Sequence, residues 1–254
     1  MKKQVFLFCI VALLCATSCK KENTEILPTT ENLSGVWQAT NYTMNGTLAA
    51  GADFENNFFI FGTDNSYSAR VGEGDSEDYS FGITTISGKE VVFSSAGKAN
   101  DSFSVEGLTK ATLGLSTFVG GDTYTISLAK VNSPTTYRVS NKTSSPLQMS
   151  SFYYADSNMS DWSYHGTVLQ GTVADDKVYT KRNKIDLGGS YLSLHFVTVY
   201  PQTIHTGQAN TLILADTTSI YHSQSSQTVP LSKINLKSIP LKDKMTLKEA
   251  ISKL

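Results

Sequence analysis

Beyond residue 19 the chain has no cysteine: Cys9, Cys15 and Cys19 are the full set in 254 residues. No disulfide can staple the body, so its stability must come from a packed core, which a chain of well over 100 residues can supply. No apolar run reaches the roughly 20 residues a transmembrane helix needs. The longest, Val5 to Leu14, is half that. Basic residues form no stripe or cluster, which removes the electrostatic footprint of nucleic-acid binding. Also missing are the GxSxG, P-loop, GxGxxG and HExxH spacings of common hydrolases, nucleotide-binding proteins and zinc enzymes. Helical periodicity is almost absent until the last ten residues.

What is present at the start is an export signal. Lys2 and Lys3 precede the apolar run, and the small and hydroxyl residues Ala16, Thr17 and Ser18 lead into Cys19. The stretch Leu14-Cys15-Ala16-Thr17-Ser18-Cys19 resembles the lipobox of Gram-negative lipoproteins, with Ala16 where leucine is commonest. The resemblance implies that residues 1–18 are a signal peptide and that the Cys19 thiol becomes a thioether to diacylglycerol. The freed amine then takes a further acyl chain such as palmitate. Two or more chains hold stably where one binds only reversibly, so the expected first partner is a membrane, through lipidated Cys19. An ordinary cleaved signal with a chance cysteine is the other reading. With Cys19 lipidated, thiol catalysis has no residue to use.

Lys20 stands where an Asp retains some lipoproteins at the inner membrane, and Lys20-Lys21-Glu22 with Glu25 resembles a charged surface-export tether. The outer membrane is the expected location, with surface and periplasmic orientations both open. Residues 19–32 are polar and read as a flexible tether reaching roughly 20 Å. Removing the signal leaves 236 residues, with 19 basic against 22 acidic side chains and a net charge of −3. That length suits two domains of about 100 residues.

Along the body, β-branched and aromatic residues alternate with polar ones between Gly, Asn, Asp and Ser turns, the signature of an all-β chain. Expected strands in the first half are Gly35 to Tyr42, Asn57 to Gly62, Ser66 to Val71, Tyr79 to Ile86, Glu90 to Ser94, Ser102 to Val105, Ala111 to Thr117 and Thr123 to Val131. Asp64-Asn65 and Ser87-Gly88-Lys89 read as hairpin turns. Asn132-Ser133-Pro134 breaks the pattern and marks a boundary between domains 33–131 and 134–254. The second set is Thr135 to Asn141, Leu147 to Tyr154, Ser163 to Leu169, Lys177 to Thr180, Tyr191 to Tyr200 and Thr211 to Ala215, with a turn expected at Gly188-Gly189. Short strands at this spacing fit an Ig-like β-sandwich. Thr246 and Glu249 form a capping box, and Leu247, Ala250, Ile251 and Leu254 line one face of a short terminal helix.

The first domain opens with Leu33-Ser34-Gly35-Val36-Trp37, continues through Phe58-Phe59-Ile60-Phe61-Gly62-Thr63-Asp64-Asn65-Ser66-Tyr67, and closes with Asp122-Thr123-Tyr124-Thr125-Ile126-Ser127-Leu128-Ala129-Lys130. This resembles a bacterial lipocalin-like domain over roughly residues 30 to 131. The resemblance implies an antiparallel barrel in which Trp37 plugs the closed end and Lys130 stacks on it. Such a barrel holds one small apolar ligand or is filled by its own side chains. Trp37, Tyr67, Tyr79, Phe81, Phe93, Phe103 and Tyr124 are the candidate lining, or plain core.

Other constellations are weaker. Glu73-Gly74-Asp75-Ser76-Glu77-Asp78 spaces carboxylates as a calcium loop does but lacks the full ligand pattern, and reads as a solvated hairpin tip. His165, His195, His205 and His222 show no metal spacing. In the second domain Phe152, Tyr153, Tyr154, Trp162 and Tyr164 cluster, and alternation sends Tyr153 to the face opposite Phe152 and Tyr154. Exposed aromatics suit sugar rings, making Tyr153, Trp162 and Tyr164 a candidate glycan surface. With no recognisable nucleophile, metal or cofactor site, the expectation is a non-catalytic, lipid-anchored envelope protein that binds a small apolar ligand or a protein partner. A carbohydrate-binding or adhesive lipoprotein and a structural subunit of an envelope assembly are the alternatives.

Overall fold

The computed structural model describes residues 25–48, 54, 57–71, 78–155, 158–224 and 242–254; for 78–79, 153–155, 158–162, 224 and 242–243 it describes the backbone alone. Residues 1–18, expected to be a signal peptide, Cys19 and the acidic residues 73–77 lie outside the described residues.

The first unit is a closed barrel. Strand β1 (Gly35–Met44) carries the two-residue β2 (Thr47–Leu48) as a hairpin at its end. There follow β3 (Phe58–Phe61), β4 (Ser66–Val71), β5 (Asp78–Ser87), β6 (Glu90–Ser94), β7 (Asp101–Leu108), β8 (Thr112–Val119) and β9 (Asp122–Lys130); β3 pairs antiparallel with β1, and each later strand pairs antiparallel with its predecessor. β9 pairs back onto β1 from Trp37↔Lys130 to Met44↔Tyr124, closing eight strands and leaving no long open edge. The Asp64-Asn65 turn forms as its chemistry predicts: Asn65 takes φ 63°, and Asp64 Oδ1 accepts from the Ser66 amide at 3.1 Å.

The β3 run is buried at all four positions, because both of its faces are covered. Phe59 and Phe61 point into the barrel, while Phe58 and Ile60 point outward into the core of the second unit, together with Val36 of β1. On β4 the same alternation sends Tyr67 and Ala69 inward. Ser68, on the outer side, accepts a hydrogen bond from the Lys177 amide at 2.9 Å. The second unit thus packs directly on the barrel wall.

That unit is built from two sheets. The smaller orders β13 (Val178–Tyr179), β10 (Thr136–Lys142) and β17 (Ala209–Ala215), and its β10–β17 pair is parallel. The larger orders β12 (Asn158–Val168), β11 (Leu147–Ala155), β14 (Lys184–Tyr191), β15 (Leu194–Thr198), β18 (Ser219–Gln224) and β19 (Lys242–Thr246), with β16 (Gln202–Thr203) on β14. Tyr137, Val139, Leu212 and Leu214 of the small sheet share one core with Leu147, Met149, Leu187, Phe196 and Ile220 of the large one, so the sheets face each other as a sandwich. Among the described residues there are two short helices. The first, α1 (Thr30–Leu33), precedes β1. The terminal α2 (Leu247–Ile251) carries the full Thr246–Glu249 capping box and buries Leu247 and Ala250. Leu254, expected on that buried face, is largely exposed because the helix has already ended.

Two expectations are corrected. Gly188-Gly189 is not a turn but the middle of β14, and the expected single strand Tyr191 to Tyr200 is split by a turn after Tyr191 where Leu192 takes φ 53°. The glycines are there for close packing. A Cβ on Gly189 would sit 2.5 Å from the Phe196 ring, and one on Gly188 would sit 2.9 Å from the Phe152 ring. The expectation of a flexible tether over residues 19–32 does not hold for residues 25–32. From Glu25 onward the chain lies on the barrel: the Ile26 amide donates to Leu108 O at 2.8 Å, Pro28 is buried, and Leu33 is fully enclosed.

Candidate functional site

The two ends of the barrel are unlike. At one end Trp37, wholly buried, donates from Nε1 to the Leu33 carbonyl at 2.6 Å, and Lys130 Nζ lies 5.0 Å from the centre of its ring. Helix α1 caps this end, with Thr30 donating to Asn65 Oδ1 at 2.5 Å and Glu25 paired with Lys89 at 2.7 Å. A void of about 10 Å³ beside Leu33, Phe61, Thr84 and Ile86 is at the lower limit for a single water.

Above the Trp37 floor lies a stack of rings. Phe93 contacts Tyr67 (centroids 4.7 Å apart), Phe103 (5.2 Å), Phe59 (5.6 Å) and Phe61 (5.9 Å). Tyr67 also hydrogen-bonds Ser95 Oγ at 2.7 Å. Rings packed this closely fill the lower barrel. Towards the open end the rings are only half-buried: Phe103, Phe54, and the pair Tyr42–Tyr124, stacked at 6.1 Å. Burial, with Tyr124 beside it, pushes the Tyr42 hydroxyl pKa up.

Of the expected lining residues, Trp37, Tyr67, Phe93 and Phe103 belong to or pack on the interior cluster, and Tyr124 stands near the mouth. Phe81 does not line the barrel. It pairs with Ser68, so alternation puts it on the outer wall while Ser80 and Gly82, opposite Ala69 and Tyr67, face in. Tyr79 pairs with Arg70 along the backbone, and its side chain is outside the described residues. Phe59, Phe61 and Tyr42 were missed. For the first two the unbroken Phe-Phe-Ile-Phe run was the available signal.

In the second unit, the backbone of Trp162 pairs with Phe152 and that of Tyr153 with Asp161, but the side chains of Tyr153, Tyr154 and Trp162 are not among those described. Tyr164, opposite Ser150 on edge strand β12, is half-buried, and burial raises its pKa. Register then sets Ser190 between Gln148 and His195 across β11, β14 and β15. Ser150 Oγ and His195 Nδ1 are buried with no hydrogen-bond partner among the described residues. Burial lowers the His195 pKa and raises that of Asp186 to about 6, against a hydrogen bond from Thr198.

The sandwich core also holds a chain of polar groups that the sequence did not disclose. Tyr137 OH meets Ser151 Oγ at 2.7 Å, Ser151 Oγ meets His165 Nε2 at 2.7 Å, and His165 Nδ1 meets Asp176 Oδ2 at 2.5 Å. The ring nitrogens are used as in a serine hydrolase triad. Yet Ser151 and Asp176 are completely buried and His165 nearly so. Ser151 also sits mid-strand with β12 and β14 paired on either side, which leaves no exposed amides to receive an oxyanion. The arrangement ties both sheets and the segment before β13 through the core.

Among the described residues no three His, Cys, Asp or Glu side chains gather so as to hold a metal, and no helix is long and apolar enough to cross a membrane. No family model, no curated protein and no solved structure matches this chain.

Proposed function

We propose that the chain is a lipid-anchored, non-catalytic cell-envelope binding protein, held at the outer membrane through Cys19, whose barrel takes a small apolar ligand at its open mouth. The observation that carries this is the asymmetry of the barrel. One end is capped by α1 and floored by Trp37 under Lys130, whereas the other exposes half-buried rings of Tyr42, Phe103 and Tyr124. A concave apolar surface with few polar groups is the usual character of a small-molecule site. Because the Phe59–Phe61–Phe93 cluster fills the lower barrel, the seat is shallow and the ligand's polar end stays in water.

Native mass spectrometry of the chain from Lys20 onward tests this. The expected result is a co-purifying or added alkyl ligand, such as lauric acid, that is retained by wild type and lost from Phe103→Ala and Tyr124→Ala. A wild type that takes up no alkyl probe at saturating concentration would overturn the reading.

A further inference from the structure

Strand register shows which residues face the interior at the open end of the barrel. Tyr42 pairs with Ile126, which belongs to the interior cluster. Two residues further on, Met44 pairs with Tyr124, and Tyr124 pairs in turn with Thr117. Val119, the next residue of β8 on that face, pairs with Asp122. Residues directly opposite one another share a sheet face, and alternate residues of a strand share it too. Tyr42, Met44, Val119 and Tyr124 therefore all stand on the inner face, the tyrosines half-buried and the other two exposed. Leu48 and Phe118, paired with Thr43 and Thr123, fall on the outer face and take no part.

Three aspartates hold that same inner register. The strands β5, β7 and β9 run from the open end towards the capped end, and each begins with one. Asp78 pairs with Val71, Asp101 with Phe93 and Asp122 with Val119, and both Val71 and Phe93 pack in the interior cluster. Asp is a poor strand residue, and a carboxylate beside apolar rings loses hydration. Barrel stability thus gives no reason for the pattern. Asn45 Nδ2 donates to Asp122 Oδ1 at 2.6 Å, which fixes that carboxylate without cancelling its charge. Among the described residues no Lys, Arg or His holds an inner register position at this end. Lys98, between β6 and β7, is the one basic residue on the described connections there. The capped end is opposite in kind, since Lys130 pairs with Trp37 and lies over its ring. Charge of one sign around an apolar mouth attracts the other sign, and ring faces favour cations as well.

We propose that the mouth selects apolar ligands whose polar end is cationic, an alkyl or aryl ammonium in preference to a carboxylate. The apolar body lies against Met44, Phe103 and Val119, and the ammonium stays in water among the three aspartates, beside the Tyr42 and Tyr124 rings. The inference rests on reading the open end as the ligand seat. Isothermal titration of the chain from Lys20 onward with dodecyltrimethylammonium and with laurate, both below their micelle concentrations, compares two head groups on similar tails. At about 10 mM salt, where the Debye length is about 30 Å, the ammonium is expected to bind about five-fold tighter or more. In about 1 M salt, with a Debye length of about 3 Å, the ratio should fall towards one. Asp101→Asn with Asp122→Asn should remove most of the preference by weakening the ammonium and not the laurate. Glu31→Gln with Glu90→Gln removes as many charges at the capped end and should keep it. Equal affinities at low salt, a preference for laurate, a preference that survives the mouth pair, or one lost from the capped-end pair overturns the inference. Uptake of neither chain by wild type overturns the reading of the seat itself, whereas uptake of both without preference overturns the charge selection alone.

Discussion

His165 Nδ1 lies 2.5 Å from Asp176 Oδ2 with both side chains fully enclosed, while its other ring nitrogen meets Ser151. Removing one member of such a chain strands the others away from water, which costs more than the bond itself contributes. Asp176→Ala or His165→Ala is therefore expected to lose on the order of 3 kcal/mol or more, read as a lower urea midpoint with an unchanged slope. Because Ser151 is sealed in the core, a fluorophosphonate probe should leave it unlabelled in the folded protein. Labelling that disappears in His165→Ala would instead reveal a working nucleophile.

At the barrel floor, Trp37 and Lys130 are expected to contribute very differently. Trp37→Ala empties the largest enclosed side chain of the barrel and should cost about 3–5 kcal/mol. Lys130→Met keeps the apolar stem and loses only the charge over the ring, worth roughly 0.5–1 kcal/mol at a partly exposed site. Urea unfolding of both variants checks the ratio. A Lys130 effect as large as that of Trp37 would contradict the packing account.

The barrel was largely legible because its strands follow one another with short turns, so local alternation and turn chemistry carry most of the topology. Ser66–Val71 and Glu90–Ser94 fall where alternation put them. The second unit was less legible. Its parallel β10–β17 pair joins residues more than 70 positions apart, which no local pattern records. Gly188 and Gly189 look like a turn until the rings of Phe152 and Phe196 are seen lying against them. Phe81 was misjudged because period two gives two faces without saying which is inside. The Tyr137–Ser151–His165–Asp176 chain was hidden altogether, since its members are scattered over three strands and a loop and none carries a local motif.

Asp186 and His195 should pull stability in opposite directions with pH. Burial raises the Asp186 carboxyl to about 6. Its contribution is thus full below about 4, the unfolded value, and is lost as pH rises through about 6. Burial lowers the His195 pKa, so the folded state favours the neutral ring and stability is lost as pH falls below about 6.5. Asp186→Asn is expected to stabilise by about 1 kcal/mol at pH 8, after allowing for the solvent that reaches the group, and by nothing measurable at pH 4. His195→Gln should flatten the fall in stability between pH 6.5 and 5. Urea midpoints across that range read both slopes, and a stabilisation by Asp186→Asn that persists at pH 4 would remove the titration as its cause.

The contact between barrel and sandwich predicts how the chain unfolds. Phe58 leaves the barrel wall to meet Tyr179 edge to face at 5.9 Å, and Val36, Phe58 and Ile60 belong to the sandwich core rather than to the barrel's own. Two units that merely touched would melt in two steps, but here neither can unfold without exposing apolar side chains of the other. Wild type is therefore expected to show one calorimetric transition. Phe58→Ala opens a cavity at the shared core and should cost about 3–5 kcal/mol. Ile60→Ser in addition places a hydroxyl where no partner awaits it, and the pair of changes is expected to split the transition in two. With Trp162 replaced by Phe, fluorescence of Trp37 reports the barrel alone, so coincident transitions by that signal and by calorimetry in this background, separating when the two changes are added, would establish the shared core as the coupling element. Two transitions already present in wild type would show that the units are energetically independent despite their contact.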